Sequence, residues 1–152
     1  MAGHSRAAVA YVCGTFDTKA AELHYLAGLL RAAGVSVRTV DLGTRQPSGD
    51  VDVPAAAVAA HHPRGAGAVL GGSDRGAAVG AMAQAFARYV ATLEDIGGMI
   101  AAGGSGNTAL VAPGMRSLAV GVPKVLVSTV ASGNVAPYVG PADIAMIYSV
   151  TD

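Results

Sequence analysis

The sequence of 152 residues contains no tryptophan and one cysteine, Cys13, and only 5% of its residues are aromatic. A single cysteine excludes an intrachain disulfide and any metal site built from several cysteines, and it suits a reducing compartment. Cys13 lies within an apolar run, so we predict that it is a core residue and not a nucleophile.

The sequence also lacks an excess of charge of either sign. Ten lysines and arginines balance ten aspartates and glutamates, and the basic residues are scattered, so we do not expect a nucleic-acid partner. Residues 97–115 and 125–142 are uncharged and reach membrane-spanning length, but polar residues, glycines and prolines interrupt both. We therefore expect no membrane partner, and the single cysteine leads us to predict a cytoplasmic protein.

Glycine is abundant, with 21 residues, and it punctuates a pattern of alternating strands and helices. Residues 7–13 predict a strand that is apolar on both faces, and leucines spaced by three and four predict a helix over 18–33 that ends at Gly34. Residues 35–42 alternate apolar and polar side chains and predict a second strand. Together these elements form a βαβ unit, which is right-handed by strong preference.

Farther along, we predict a short helix near 54–60, followed by His61 and His62 as solvated residues at its end. Residues 66–72 fit either a short strand or a turn of helix. One apolar face predicts a long helix that begins within 73–76 and ends near Ile96.

Three more strands are predicted at 98–104, 124–129 and 143–150. Strands that alternate with helices predict a single α/β domain over 1–152, with a doubly wound, mainly parallel, five-stranded Rossmann-like sheet. In such a sheet, ligands bind at the carboxyl ends of the strands.

The first loop at that edge is GTFDTK, residues 14–19. It lacks the terminal Gly-Lys-Ser/Thr of a Walker loop, which excludes a P-loop NTPase. The hydroxyl groups of Thr15 and Thr18 and the free amides of a helix start suit an anion. Alternatively, Asp17 or Thr18 only caps the helix.

The second loop is GGSGNT, residues 103–108. Three glycines within four residues exceed what a tight turn needs, and they favour a nest of backbone amides that binds a phosphate or a carboxylate, with Ser105 and Thr108 as further donors. The spacing is not that of a dinucleotide fingerprint. Pro113 lies within the helix that should follow, so we expect a kink or a new turn there.

The third loop, residues 128–140, is long for a connection between a strand and a helix. Ser128, Thr129, Ser132 and Gly133 would close over the same ligand, unless the loop is only an irregular surface segment. The sequence contains no nucleophile elbow and no histidine base beside a candidate nucleophile, so catalytic residues stay unknown.

Several segments occur in a recognisable order: GTFDTK, DRG (74–76), GGSGNTAL (103–110), residues 121–140 and the closing YSVTD. This series resembles the N-terminal ATP-binding domain of an uncharacterised protein family typified by the tomato mosaic virus resistance protein. The resemblance implies a Rossmann-like fold, ATP binding and self-association. It also implies a set of nucleotide-binding residues: Gly14, Thr15, Asp17, Thr18, Lys19, Asp74, Arg75, Gly103, Gly104, Ser105, Gly106, Asn107, Thr108, Ser128, Thr129, Ser132 and Gly133.

The chain departs from the family pattern in two ways. Asn107 stands where the family more often has a second Gly-Gly step, which would stiffen the loop or add a side-chain contact. We do not expect the usual second domain, which resembles a TIM barrel, in this chain, so its catalysis is not assigned to these residues.

The leading hypothesis is an ATP-binding module, regulatory or one half of a two-part enzyme, that forms a homo-oligomer and works with a separate barrel-type protein. Lys19 or Arg75 would counter phosphate charge, and Asp17 would hold Mg²⁺ through water. The alternatives are a weak phosphohydrolase or phosphotransferase, in which Asp17 orients water, and an assembly domain.

Overall fold

The structure is a computed structural model that describes residues 8–46 and 49–150. Its sheet has five strands in the order β2-β1-β3-β4-β5, and every pairing is parallel. The strands are β1 (Val9–Gly14), β2 (Val37–Asp41), β3 (Ile96–Gly103), β4 (Lys124–Ser128) and β5 (Ala145–Tyr148). The predicted α/β fold with a five-stranded parallel sheet is confirmed. Residue 7 of the predicted first strand and residues 151–152 of the closing motif lie outside the described residues.

Six helices and one 3₁₀ turn connect the strands over the described ranges. They are α1 (Phe16–Ala32), α2 (Ala55–Ala59), α3 (Gly67–Leu70), α4 (Arg75–Val90), α5 (Ser105–Ser117), the 3₁₀ turn (Thr129–Ser132) and α6 (Ala136–Val139). The sequence of residues 66–72 fits either a strand or a helical turn, and the structure has the short helix α3 there. None of the helices in the described ranges is long and apolar enough to cross a membrane.

Helix α4 carries the apolar face that the sequence predicts. Met82 and Phe86 are fully buried, and burial of such a side chain stabilises the fold by roughly 1.5–3 kcal/mol. The predicted end near Ile96 is wrong, because the helix stops at Val90 and Thr92 turns back to donate its hydroxyl to the Tyr89 carbonyl. Ile96 instead begins β3.

Helix α5 passes through Pro113 without ending there. The helix is continuous from Ser105 to Ser117, so the new turn that the proline suggested does not form. Gly114, the next residue, lies close to the Phe86 ring, since a Cβ at Gly114 would be 2.6 Å from Cε1 of Phe86. Packing against α4 thus holds the proline-containing part of α5 in place.

The sheet has a core on each face. The larger core lies on the α4 and α5 side and includes Tyr11 and Cys13, whereas Val12 belongs to the smaller core under α1. Strand β1 is therefore buried on both faces, as its apolar sequence predicts. The α1 side is less covered near β5, where Ile147 is 53% exposed.

The histidine pair differs from expectation. His62 is buried, and its Nδ1 accepts a hydrogen bond from the Arg64 amide at 3.1 Å. The His61 ring meets the Tyr89 ring edge to face, with centroids 5.4 Å apart. The prediction of two solvated histidines is wrong, because the turn after α2 folds back against the protein.

Strands β1 and β3 are neighbours, yet the helices that follow them lie on opposite faces of the sheet. This is the topological switch point of a doubly wound sheet, and it opens a crevice at the carboxyl ends of the two strands.

Candidate functional site

A cavity of about 320 Å³ lies at this switch point. The amino-terminal ends of α1, α4 and α5 all border it, which brings the positive ends of three helix dipoles together. Its lining residues are Thr15, Asp17, Thr18, Lys19, Leu42, Thr44, Arg45, Arg75, Val79, Gly104, Ser105, Gly106, Asn107 and Leu110. The structure thus joins the first loop, most of the second loop and Arg75 in one site.

The start of α5 is the clearest place in the cavity for an anion. Its N-cap residue is Gly104, so no side chain caps the helix. Thr108 is the first residue whose amide reaches back along the chain, to the Gly104 carbonyl at 3.0 Å. The amides of Ser105, Gly106 and Asn107 precede it and have no acceptor within the helix, which is the arrangement that binds phosphate groups at helix starts.

At the start of α1, more of the first backbone amides have hydrogen-bond acceptors than at the start of α5. Its N-cap is Thr15, whose carbonyl accepts from the amides of Thr18 and Lys19 at 3.1 and 2.9 Å. The side chains of Thr15 and Thr18 pair with each other at 2.9 Å. The alternative that Asp17 or Thr18 caps this helix is therefore wrong, because the helix begins at Phe16.

Asp17 instead connects the first loop with the segment after β2. Its Oδ2 accepts a hydrogen bond from the Arg45 amide at 3.3 Å. Gly43 lies against the same carboxyl group, since a Cβ there would be 2.8 Å from Cγ of Asp17. A side chain at residue 43 would push Asp17 aside.

Asp41, at the end of β2, holds this arrangement together. Its side chain is fully buried, and Oδ1 accepts from the amides of Phe16 at 3.1 Å and Gly43 at 2.8 Å. Oδ2 has no hydrogen-bond partner within the described part of the chain. Sequence reasoning missed Asp41, although its place at the carboxyl end of a strand is the signal that could have identified it.

Two arginines, together with Lys19, supply positive charge at the cavity. Arg45 and Arg75 are both exposed and both line it. Arg75 was expected from the DRG motif, whereas Arg45 was missed because it lies in a polar loop without a recognisable motif. Asp74 has a different role, because its Oδ1 accepts from the Ala77 amide at 3.1 Å and caps α4.

Asn107 lines the cavity and lies close to two glycines, each at the end of a strand. A Cβ at Gly103 would be 2.7 Å from Cβ of Asn107, and a Cβ at Gly14 would be 3.2 Å from its Oδ1. The side chain is 5% exposed, and neither Oδ1 nor Nδ2 finds a hydrogen-bond partner in residues 8–46 and 49–150. Gly103 therefore leaves room for this side chain, whereas the absence of a side chain at Gly14 makes room first for Leu23 and then for the Asn107 amide oxygen.

The third loop reaches the site only indirectly. The hydroxyl groups of Ser128 and Thr108 are 2.6 Å apart and buried, and neither residue lines the cavity. Thr129, Ser132 and Gly133 lie in or next to the 3₁₀ turn, also away from the cavity. Ser132 donates to the Thr129 carbonyl at 3.2 Å, so its hydroxyl serves the turn.

Cys13 precedes the first loop and is fully buried. Burial raises the pKa of its thiol well above the usual range, because the thiolate would lose its hydration. The predicted core role is confirmed.

Comparison of the sequence with known proteins identifies the family of this chain. Residues 8–152 match the profile described as the N-terminal domain of an uncharacterised protein family, UPF0261. UPF0261 proteins of Mesorhizobium japonicum and Rhizobium meliloti are each 54% identical over 142 residues, which cover 93% of this chain and 36% of each relative. The tomato mosaic virus resistance protein Tm-1 of Solanum lycopersicum is 33% identical over 161 residues, covering 93% of this chain and 21% of the relative.

The chain therefore spans about a third of the length of its rhizobial relatives. The resemblance deduced from the ordered motifs is confirmed over nearly the whole chain. On these grounds the chain belongs to the uncharacterised protein family UPF0261, whose N-terminal domain it matches.

Proposed function

We propose that this domain binds a nucleotide, ATP, with the phosphate groups at the start of α5. The observation that carries the proposal is the uncapped start of α5 in a cavity that two further helix starts also border. Backbone amides at helix starts bind phosphate because they are unpaired donors at the positive end of a dipole. The cavity volume of about 320 Å³ is at the lower end for a small-molecule site.

The charges around the cavity support a polyanionic ligand. Arg45 and Arg75 offer guanidinium groups that match phosphate geometry, and Asp17 is the one carboxylate among the lining residues that the structure describes. We propose that Asp17 holds Mg²⁺ through water, since Mg²⁺ is commonly bound by one or two carboxylates together with phosphate oxygens.

The wider role we propose is regulatory, or that of one half of a two-part enzyme with a separate barrel-type protein. The family relatives support this proposal, because the matched region is only about a third of the rhizobial proteins. We also propose that the domain forms a homo-oligomer and works in the cytoplasm.

Calorimetric titration with ATP, with and without Mg²⁺, tests the binding proposal. We expect saturable heat at millimolar nucleotide or below, and tighter binding with Mg²⁺. The absence of heat at millimolar ATP under both conditions would overturn it. Analysis of the same samples for ADP separates a binding module, which leaves ATP intact, from a phosphohydrolase.

A further inference from the structure

The side chain of Asn107 is costly for the stability of the fold. Its Oδ1 and Nδ2 are buried without partners in the part of the chain that the structure describes. A buried donor or acceptor without a hydrogen bond costs about 1–3 kcal/mol. An apolar residue of similar shape, such as leucine, would avoid this penalty.

The surroundings leave this side chain little room. A Cβ at Gly103 would be 2.7 Å from Cβ of Asn107, and a Cβ at Gly14, which would first meet Leu23, would be 3.2 Å from Oδ1 of Asn107. The end of β3 thus accommodates a polar side chain that has no hydrogen-bond partner among residues 8–46 and 49–150. A buried polar group without a hydrogen bond is unusual in a native protein, and a functional role is one explanation for it.

The position of Asn107 suggests that role. It is the third residue of α5, and its own backbone amide is one of those without an acceptor in the helix. The residue also lines the cavity. Its side-chain amide is therefore adjacent to the place where the helix start would bind an anion.

We infer that Asn107 is a specificity-determining residue that recognises a phosphate group bound at the start of α5. On binding, its side-chain amide turns out of the crevice between Gly14 and Gly103, and Nδ2 donates a hydrogen bond to a phosphate oxygen. The inference rests on the proposed function, and it names the phosphate end of the ligand as the part that is recognised.

The number of donors favours phosphate over carboxylate. The first amides of α5, Arg45 and Arg75 border one cavity, and the Asn107 side chain would join them once it turns out of its crevice. A phosphate group presents three strong acceptor oxygens, whereas a carboxylate presents two. The phosphate group is thus the better match for this set of donors.

The substitution Asn107→Leu tests the inference with two readouts. We expect the ligand-free protein to melt at the same temperature or higher, because two unpaired buried atoms are removed. We expect affinity for ATP and for inorganic pyrophosphate to fall about tenfold, which corresponds to ~1.4 kcal/mol. Asn134→Leu is the matched control, since Asn134 is exposed and lies outside the cavity.

Nitrogen-15 NMR of the unaltered protein gives a direct measurement. The sequence has two asparagines, 107 and 134, and two glutamines, 46 and 84, so few side-chain amide signals need assignment. We expect the Asn107 pair to shift when pyrophosphate is added and the Asn134 pair to stay in place. An Asn107 pair that does not move at saturating pyrophosphate would overturn the inference, whatever the variant does.

The remaining outcomes separate the inference from the proposed function. If ATP binds equally well to the Asn107→Leu variant, the inference is overturned and the proposed function stands. If pyrophosphate binds and ATP does not, the proposed function fails, while a loss of pyrophosphate affinity in the variant still supports the inference. If neither ligand binds the unaltered protein, both are overturned.

Discussion

The hydroxyl groups of Thr108 and Ser128 lie 2.6 Å apart, and both residues are fully buried. The Thr108 hydroxyl donates to the Gly104 carbonyl at 2.9 Å, and the Ser128 oxygen accepts from the Val130 amide at 3.2 Å. Because each hydroxyl has one proton, Ser128 must donate to Thr108 in this network. This hydrogen bond joins the second and third loops at the carboxyl ends of β3 and β4.

We predict that Thr108→Val and Ser128→Ala each lower the free energy of unfolding by about 1–3 kcal/mol, because each leaves a buried partner without its hydrogen bond. The double variant should cost less than the sum of the two single variants, since the remaining partner is also removed. Urea unfolding measures all three. Strict additivity would contradict the hydrogen bond.

Alanine substitutions at two glycines of the second loop should have opposite effects on stability. Gly103→Ala should destabilise the protein by about 1–3 kcal/mol, because the new Cβ meets Asn107 in a closely packed position. Gly106→Ala is the matched control, since a Cβ there would have open space. It should raise stability by roughly 0.5–1 kcal/mol through helix propensity. Thermal unfolding gives the melting temperatures of the two variants. Equal changes in melting temperature would contradict the close packing of Gly103 against Asn107.

The arginines at the cavity should contribute to nucleotide affinity. Arg45→Ala and Arg75→Ala should each weaken ATP binding by about three- to tenfold, and the loss should shrink at high salt because both groups are exposed. Calorimetry at two salt concentrations measures this. Arg88→Ala, on an exposed part of α4 away from the cavity, is the control. A loss of affinity as large for the control would exclude a local charge effect.

Asp52 should make stability depend on pH. Hydrogen bonds to its carboxylate from the amide and then the hydroxyl of Thr39, together with the charge of Arg31, hold its pKa below the usual value. This stabilisation is present above the unfolded-state pKa of about 3.9 and is lost as the pH falls through the lower folded-state pKa.

The corresponding test is a series of melting temperatures from pH 7 to pH 2. Asp52→Asn should melt below the unaltered protein at pH 7, and the difference should narrow as the pH falls below about 4. Asp50→Asn, at an exposed neighbouring carboxylate, is the control for the general effect of removing one negative charge. A difference that stays constant with pH would show that the charge of Asp52 is not involved.

The sequence predicted those features that depend on local pattern. Leu23 and Phe86 mark the buried faces of α1 and α4 because apolar residues repeat at helical spacing. The end of α4 was predicted too late, since the apolar pattern continues through Leu93 into a turn that only hydrogen bonding at Tyr89 defines. Short helices such as α3 have too few residues to show a period.

Only those parts of the candidate site that have a local sequence pattern were predicted. Ser105 and Gly106 were found because a glycine-rich turn before a helix is a local signal. Arg45 and Asp41 were missed, because they enter the site only when β2 pairs beside β1. The third loop carries suitable hydroxyl groups, yet their partners are in its own turn and in Thr108.

The sequence by itself determined the alternation of strands and helices, the parallel sheet and the glycine-rich turns at one edge, because these follow from periodicity and backbone freedom. Only the tertiary structure decided which side chains share the cavity. Pairing of β1 with both β2 and β3 brings the starts of α1, α4 and α5 together. It also leaves the Asn107 side chain buried near Gly14 and Gly103, without a hydrogen-bond partner in the described part of the chain. Contacts between residues so distant in the chain depend on strand order and packing, which no local pattern records.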